Sequence, residues 1–220
     1  MRDVKEPEIR RAEIMDAAIQ LFTIKGYLNT TTQDIIDKVQ ISRGLLYYHF
    51  KNKEDILYCI INRYSEPLLK QLESLAYDET KSAPEKIKAF VSLTLVSDED
   101  ITVENSVLQE AVNLEENRYM LDRFYHRLCE CMIGYFAYIL EQGNEEGVFH
   151  VEKPKEMAAF LMTGYIFVSN DAKIAKQDKR QLESYLETYK ILLERVLNPK
   201  VPLADCQPKR PPMPYSAASL

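Results

Sequence analysis

The sequence predicts an all-α protein of about nine helices. Apolar residues recur at intervals of three and four from about residue 8 to residue 197, which is the spacing of amphipathic helices. No stretch alternates apolar and polar residues as a half-buried strand does. Residues that start or stop helices divide the pattern into segments of ordinary helix length. We place the helices at 8–25, 33–39, 43–49, 53–76, 83–97, 101–111, 115–142, 155–173 and 179–197.

Hydroxyl and glycine residues delimit the first helices. The first carries an apolar stripe that includes Phe22 and ends at Gly26, which suits a left-handed cap. Thr32 lies at the start of the second helix, where a hydroxyl can cap free N–H groups or contact a phosphate bound there. A tight turn then leads into the third helix. Pro67 lies within the fourth, where a proline kinks or restarts a helix, and Ser65 could cap a restart.

The later helices have their own end signals. Residues 82–85 (SAPE) combine a Ser cap with a Glu three positions later, which predicts a capping box, and residues 113–116 repeat this more weakly. Gly143 and Gly147 bracket the end of the long seventh helix. Pro154 can open the eighth, because proline is tolerated in the first turn. The ninth ends where a proline-rich segment begins.

The formal net charge of -6 is unevenly distributed. Residues 1–64 hold ten Lys and Arg against nine Asp and Glu, whereas residues 65–220 hold eighteen against twenty-five. An acidic second part would repel DNA, so only the balanced N-terminal part suits a nucleic-acid partner. No apolar run is long enough to span a membrane, and no signal peptide follows the charged start. We therefore expect a cytoplasmic protein without a membrane partner.

The four cysteines predict neither a disulfide framework nor a metal site. They are few, irregularly spaced and form no CxxC pair. His126, Cys129 and Glu130 share one helix face and are the best metal constellation in the chain, but we favour a partly buried structural thiol at Cys129. We expect no metal and no cofactor.

Residues 33–39 and 43–49 are two short helices joined by a tight turn and preceded by a longer one. This is the arrangement of a helix-turn-helix unit. The second short helix offers an arginine, suited to the O6/N7 edge of guanine, and tyrosines, which often bind phosphates. Gly44 would let the backbone approach a duplex closely.

The segment resembles the N-terminal signature of the TetR family of transcriptional regulators. The resemblance lies in LFTIKGY (residues 21–27), TTTQDII (30–36) and ISRGLLYYHFKNKEDIL (41–57). Ile36 departs from the alanine that is frequent in the family, and Leu45 occupies an often small or polar position, where it could contact a thymine methyl or be buried. The resemblance implies that eight residues face the operator: Thr32, Ser42, Arg43, Gly44, Tyr47, Tyr48, His49 and Lys53.

An aromatic run such as YYHF on a short helix is usually core without such a context. We expect Leu46 and Phe50 to be core. Tyr47, Tyr48 and His49 cannot all face inward from consecutive helical positions, so some of them must point to solvent or DNA.

The predicted organisation is a helix-turn-helix DNA-binding domain (1–52), a helical ligand-binding and dimerisation domain (53–197) and a disordered tail (198–220). The second domain has no catalytic motif, so we expect no enzyme. Its aromatic stripes are typical of core packing, yet the resemblance implies an inducer pocket there. Candidate pocket residues are Phe124, Tyr125, Leu128, Phe136 and Tyr165.

Apolar faces on the eighth and ninth helices could form half of an intermolecular four-helix bundle, and a unit that reads a palindrome needs a two-fold partner. The candidate interface comprises Met157, Phe160, Leu161, Leu182, Tyr185, Leu186, Tyr189 and Leu193.

These features predict a dimeric, ligand-inducible repressor that binds a palindromic operator and an unknown small-molecule inducer. A ligand-independent regulator or an activator on the same scaffold is the main alternative, and a helical enzyme or assembly protein is another. Pro67 is either a hinge that transmits ligand binding or a fixed kink.

Overall fold

A computed structural model of the chain describes residues 6–94, 103–112, 114–170 and 179–197. All regular secondary structure within these ranges is helical, which confirms the predicted all-α class. The predicted tail and the predicted cap at Asn113 lie outside them. In the described part, no helix is long and apolar enough to cross a membrane. The helices are α1 (Pro7–Lys25), α2 (Thr32–Val39), α3 (Arg43–His49), α4 (Lys53–Ala76), α5 (Ala83–Thr94), α6 (Val103–Val112), α7 (Arg118–Glu145), α8 (Pro154–Asn170) and α9 (Lys179–Leu197), with a 3-10 turn at Glu115–Asn117.

The start of α2 is capped by Thr31, so the prediction that Thr32 caps it was wrong by one residue. The Thr31 hydroxyl accepts the backbone N–H of Asp34, and the Asp34 carboxylate accepts the backbone N–H of Thr31 at 2.8 Å. This reciprocal pair satisfies two N–H groups that the helix cannot. Thr32 is thereby the first helical residue, with its hydroxyl directed elsewhere.

The predicted signals at the later helices agree with the structure. Ser82 and Glu85 form the expected capping box, with the Ser82 backbone N–H donating to the carboxylate at 2.9 Å, and α8 opens at Pro154. Gly143 lies inside α7, two residues before its end, and the buried Phe149 ring occupies the space that a side chain there would need. A Cβ at Gly143 would lie 1.9 Å from that ring. Gly147 has a positive φ of 67°.

The fourth helix is continuous through Pro67, so the expected restart is absent. Ser65 donates its hydroxyl to the Asn62 carbonyl at 3.0 Å and does not cap a new helix. Pro67 has no N–H, so α4 lacks one backbone hydrogen bond at this point.

Two compact units divide the chain, the first formed by 1–66 with 101–124 and the second by 67–100 with 125–220. In the first unit α6 packs against α1, and Met120 of α7 lies in the same hydrophobic core. The functional boundary at residue 52 stays a prediction. The first unit has one hydrophobic core, which includes Ile14, Phe22, Ile35, Leu46, Phe50, Ile56, Ile60, Leu108 and Met120.

The turn between α2 and α3 contains a strained residue. Gln40 ends α2 with φ 57° and ψ 47°, the left-handed conformation, and its N–H donates to the Ile36 carbonyl. A residue with a Cβ pays about 1–2 kcal/mol for this conformation, whereas glycine does not. Gly26, at the end of α1, has a positive φ of 80° but an extended ψ of 156°, so it is not the left-handed helical cap that we predicted.

Replacing Gln40 with glycine is expected to raise the free energy of unfolding by about 0.5–1 kcal/mol, because relief of the backbone strain exceeds the entropy that glycine adds to the unfolded chain. Denaturant unfolding followed by circular dichroism measures the change. Lys38→Gly, at an exposed position within α2, is the control and should lower stability by about 1 kcal/mol. A loss of stability in both variants would contradict the backbone argument.

Candidate nucleic-acid interface

The third helix has a buried side and an exposed side. Leu46 and Phe50 are 1% and 2% exposed and lie in the core of the first unit, which confirms their prediction as core residues. Tyr47 and Tyr48 are 42% and 76% exposed. Because the buried pair anchors the helix, the tyrosines point away from the unit.

The N-terminal turn of α3 is open to solvent. Ser42 caps the helix by accepting the Leu45 N–H at 3.2 Å, and Ser42, Arg43 and Gly44 are all exposed. A Cβ built on Gly44 would meet no atom within 4 Å, so the backbone there can be approached closely. Leu45 is partly buried. This turn therefore exposes to solvent the backbone at Gly44, the Ser42 hydroxyl and the Arg43 guanidinium.

Arg43 and Thr32 both lie close to Tyr47. The Arg43 guanidinium carbon lies 5.6 Å from the centre of the Tyr47 ring. A hydrogen bond with the Thr32 hydroxyl, followed by the effect of Arg43, lowers the pKa of Tyr47 below its ordinary value. Half-buried Thr32 at the start of α2 thus shares a polar cluster with α3. The structure brings these three predicted residues together.

Arg11 in α1 holds the C-terminal end of α3, and sequence reasoning missed it. Its guanidinium donates to the His49 carbonyl at 2.6 Å and to the Cys59 sulfur at 3.2 Å, and it lies 4.5 Å from the Phe50 ring centre. A cation at the C-terminus of a helix is favourable, because the helix dipole places negative charge there. Arg11 therefore fixes the orientation of the helix that carries the exposed residues.

His49 is less exposed than the two tyrosines. Its ring is partly buried and packs edge-on against Tyr48, with centroids 4.9 Å apart. Burial lowers the pKa of His49 below its ordinary value, and the positive charge of Arg11 adds to this effect. The imidazole is consequently neutral at neutral pH and offers a hydrogen bond rather than a charge.

Lys53, predicted to contact phosphate, is partly engaged within the protein. Its ammonium donates to the Tyr27 carbonyl at 2.8 Å and lies 4.1 Å from the Tyr27 ring centre. Burial lowers the pKa of Lys53. The Tyr27 hydroxyl in turn donates to the side-chain oxygen of the fully buried Asn117, at 3.1 Å. Lys53, the loop before α2 and the segment before α7 are thus joined in one hydrogen-bonded chain.

The predicted pocket residues are divided between the two units. Phe124 belongs to the first unit, and the other four belong to the second. Phe136 is completely buried, with its ring 5.2 Å from that of Phe90 in an edge-to-face contact. Leu128 and Tyr165 are also buried, and Tyr125 is partly buried.

The predicted dimer residues fall on two sides of α8 and α9. Leu161 and Leu193 are buried inside the second unit, so they are core residues and not part of an exposed interface. The Tyr189 ring packs on Tyr165, with centroids 4.8 Å apart. Leu186 and Met157 are partly buried, Tyr185 is exposed, and the side chain of Leu182 lies outside the described part.

Phe160 is 82% exposed, and Phe167, which sequence reasoning missed, is 70% exposed on the same helix face. Leu192 of α9 is exposed as well. The helical period had indicated that α8 and α9 are amphipathic, but it could not show which of their apolar side chains the rest of the subunit buries.

In the ranges that the structure covers, no group of three or more His, Cys, Asp or Glu side chains is placed to hold a metal ion. Cys59, Cys129 and Cys131 are free thiols. Burial raises the pKa of the Cys129 thiol, while a hydrogen bond with Thr163 of α8 lowers it in part. This agrees with a structural thiol at Cys129.

Comparison with known proteins shows that the chain is similar to bacterial transcriptional regulators. Residues 14–58 match the family model described as bacterial regulatory proteins, tetR family. The HTH-type transcriptional regulator YfiR of Bacillus subtilis (strain 168) is 27% identical over 194 residues, which cover 86% of this chain and 92% of YfiR. The negative transcriptional regulator IcaR of the biofilm operon icaADBC of Staphylococcus epidermidis is 52% identical over 44 residues, 20% of this chain and 24% of IcaR.

The fold is also similar to a solved structure. The crystal structure of a TetR-family transcriptional regulator from Pectobacterium atrosepticum superposes with a TM-score of 0.65 at 18% identity, and the match covers 89% of this chain and 98% of that one. The relatives are transcriptional regulators and not enzymes, and the matched N-terminal segment contains the exposed third helix. Residues 14–58 therefore match the tetR family, and the chain is similar to a transcriptional regulator and has the fold of a TetR-family structure over most of its length.

Proposed function

We propose that the protein is a homodimeric, ligand-responsive repressor that binds a palindromic operator in the cytoplasm. The observation that carries the proposal is the exposed side of α3, where Ser42, Arg43 and Gly44 stand open at the N-terminal turn while Leu46 and Phe50 anchor the helix. An exposed short helix of this kind fits the major groove of B-DNA.

The exposed residues divide into two roles. Arg43 is the side chain suited to reading a base, because its planar guanidinium matches the two acceptors of guanine. Tyr47, Tyr48, Ser42 and Thr32 carry hydroxyls that suit phosphate oxygens and set the register on the duplex. His49 completes the set as a neutral hydrogen-bonding group.

The exposed phenylalanines of α8 support a dimer. Phe160 and Phe167 lie seven residues apart, two turns along one face, and exposed aromatic side chains of this kind usually mark a protein contact. Tyr185 and Leu192 of α9 are apolar and exposed too. A two-fold dimer would place two copies of α3 in successive major grooves, ~34–36 Å apart or a little more.

The repressor would act by covering a promoter, and a small molecule bound in the second unit would release it. For a tenfold loss of operator affinity, the ligand must prefer the non-binding conformer by about 1.4 kcal/mol. IcaR, which is 52% identical to this chain over 44 residues, is a negative regulator, which supports repression as the outcome.

The test is selection of bound duplexes from random DNA with the purified full-length chain, followed by sedimentation of the complex. We expect an inverted repeat with half-sites one helical turn apart or slightly more, and two copies of the chain per operator or a multiple of two. A promoter fusion then distinguishes repression from activation. Failure to enrich any sequence at moderate salt would contradict the proposal.

Lys53→Ala is expected to weaken binding to operator and random duplex by the same factor and to flatten the salt dependence by about one unit of slope, because a phosphate contact carries no sequence information. Titrations at several salt concentrations measure both effects. Since Lys53 also donates to the Tyr27 carbonyl, unfolding must be measured in parallel. Lys51→Ala, an exposed lysine two residues earlier, is the control for a lost charge without that contact. A loss confined to the operator would contradict the phosphate role.

A further inference from the structure

The Tyr189 hydroxyl of α9 is buried and has no hydrogen-bond partner among the residues that the structure describes. Buried hydroxyls in folded proteins are nearly always paired with protein, water or ligand, since an unpaired one costs about 1–3 kcal/mol. In the described part it is the only buried side-chain oxygen or nitrogen in this condition. The Tyr189 hydroxyl is therefore available to bond with a water molecule or a ligand.

The neighbouring polar groups are already used. The Tyr165 hydroxyl, on the ring that packs against Tyr189, donates to the Thr94 carbonyl. The Thr94 hydroxyl donates to the Phe90 carbonyl at 2.9 Å. The Phe90 side chain is apolar and packs on Phe136. A group that met Tyr189 would thus find one phenol without a hydrogen-bond partner, beside the ring of Tyr165.

The interior of the second unit has no free charge to pair with an ion, as far as the described residues show. Lys86 is the single charged side chain among those that are buried. Its ammonium donates to the Ala76 carbonyl at 2.7 Å and to the Gln142 side-chain oxygen at 2.6 Å. No buried carboxylate is present in the same set. Because an ion without a counter-charge is costly to bury, a neutral molecule is favoured.

We infer that the Tyr189 hydroxyl is the polar contact of an inducer site in the second unit, and that this site takes an uncharged aromatic or apolar molecule with one hydrogen-bond acceptor, such as a carbonyl oxygen. The inference rests on the proposed ligand-responsive function. Burial raises the pKa of Tyr189 well above its ordinary value, so the phenol stays protonated and able to donate. The acidic surface of the chain, by contrast, gives no guide to the ligand.

Four probes of one shape test the ligand class: 9-fluorenone, which is neutral with one acceptor, fluorene, which lacks it, fluorene-9-carboxylate, and protonated 9-aminofluorene. Binding to the full-length chain is measured as the rise in Tm at equal probe concentration and, for fluorenone, by calorimetry. We expect fluorenone to bind best. Tyr189→Phe should weaken fluorenone about three- to tenfold, the effect of one hydrogen bond, and leave fluorene unchanged.

Tyr119→Phe is the matched control, because it removes the same hydroxyl from an exposed tyrosine of α7 that belongs to the first unit. The inference is overturned if fluorenone does not bind, if a charged probe binds as well as fluorenone, or if Tyr189→Phe binds fluorenone like the wild type. Operator binding is measured on the same preparations without probe. If the chain binds fluorenone but no operator, the proposed function is refuted and the site is not. If it binds the operator but not fluorenone, only the site is refuted.

Discussion

Arg43→Ala is expected to weaken operator binding about 5- to 150-fold and to relax the preference at one base pair of each half-site. A bidentate contact between arginine and guanine contributes about 1–3 kcal/mol of discrimination. The exposed Arg43 side chain lies beside Tyr47, at the turn of α3 best placed to enter the groove. Binding to random duplex should change much less, because that binding depends on phosphate contacts.

Electrophoretic titration of the wild type and the variant, on operator and on random duplex at fixed salt, measures this difference. Arg195→Ala is the matched control, since it removes the same group from an exposed position near the end of α9. Arg43→Lys separates geometry from charge, because lysine keeps the charge and loses the planar fork. Equal losses on operator and random duplex in Arg43→Ala would show that this residue does not read bases.

Asn117→Leu is expected to lower the free energy of unfolding by about 1.5–4.5 kcal/mol. Asn117 is 0% exposed and bonds two groups of the first unit, accepting from the Tyr27 hydroxyl at 3.1 Å and donating to the Ala111 carbonyl at 2.6 Å. Leucine has a similar volume but no polar atom, so the buried Tyr27 hydroxyl would be left unpaired. The Ala111 carbonyl would lose one of its two bonds and keep the one from the Leu114 N–H, at 3.3 Å. An unpaired buried hydroxyl costs about 1–3 kcal/mol, and a lost hydrogen bond adds about 0.5–1.5 kcal/mol.

Chemical denaturation measures the loss, and Tyr27→Phe is the companion variant. Phenylalanine removes the hydroxyl that donates to Asn117, and it keeps the ring that packs against Phe22 and Lys53. The Asn117→Leu change should therefore cost less in the Tyr27→Phe background than in the wild type, and the double-variant cycle gives the coupling. Additive losses would mean that the Tyr27–Asn117 bond contributes nothing, and a loss below about 0.5 kcal/mol would contradict the role of Asn117.

Much of the helical framework could be predicted from the sequence because its signals are local. The Ser82–Glu85 box and Pro154 act within one turn of their own helix, so the chain needs no distant partner to express them. The same holds for α3, where the helical period alone separates buried Leu46 and Phe50 from exposed Tyr47 and Tyr48. The buried side of the third helix was accordingly predictable, whereas the sequence left open the place of Leu45 and which of Tyr47, Tyr48 and His49 point outward.

The supports of that helix were decided by the tertiary structure. Arg11 contacts His49, 38 residues away, and Tyr27 contacts Asn117, 90 residues away. No local pattern specifies such pairs, because each depends on which helices pack side by side. Helical spacing likewise indicated apolar stripes on α8 and α9, but only packing placed Leu161 and Leu193 inside while Phe160 and Phe167 stayed outside. An amphipathic period shows that a helix has a face to bury, and the neighbours of that helix determine where the face is buried.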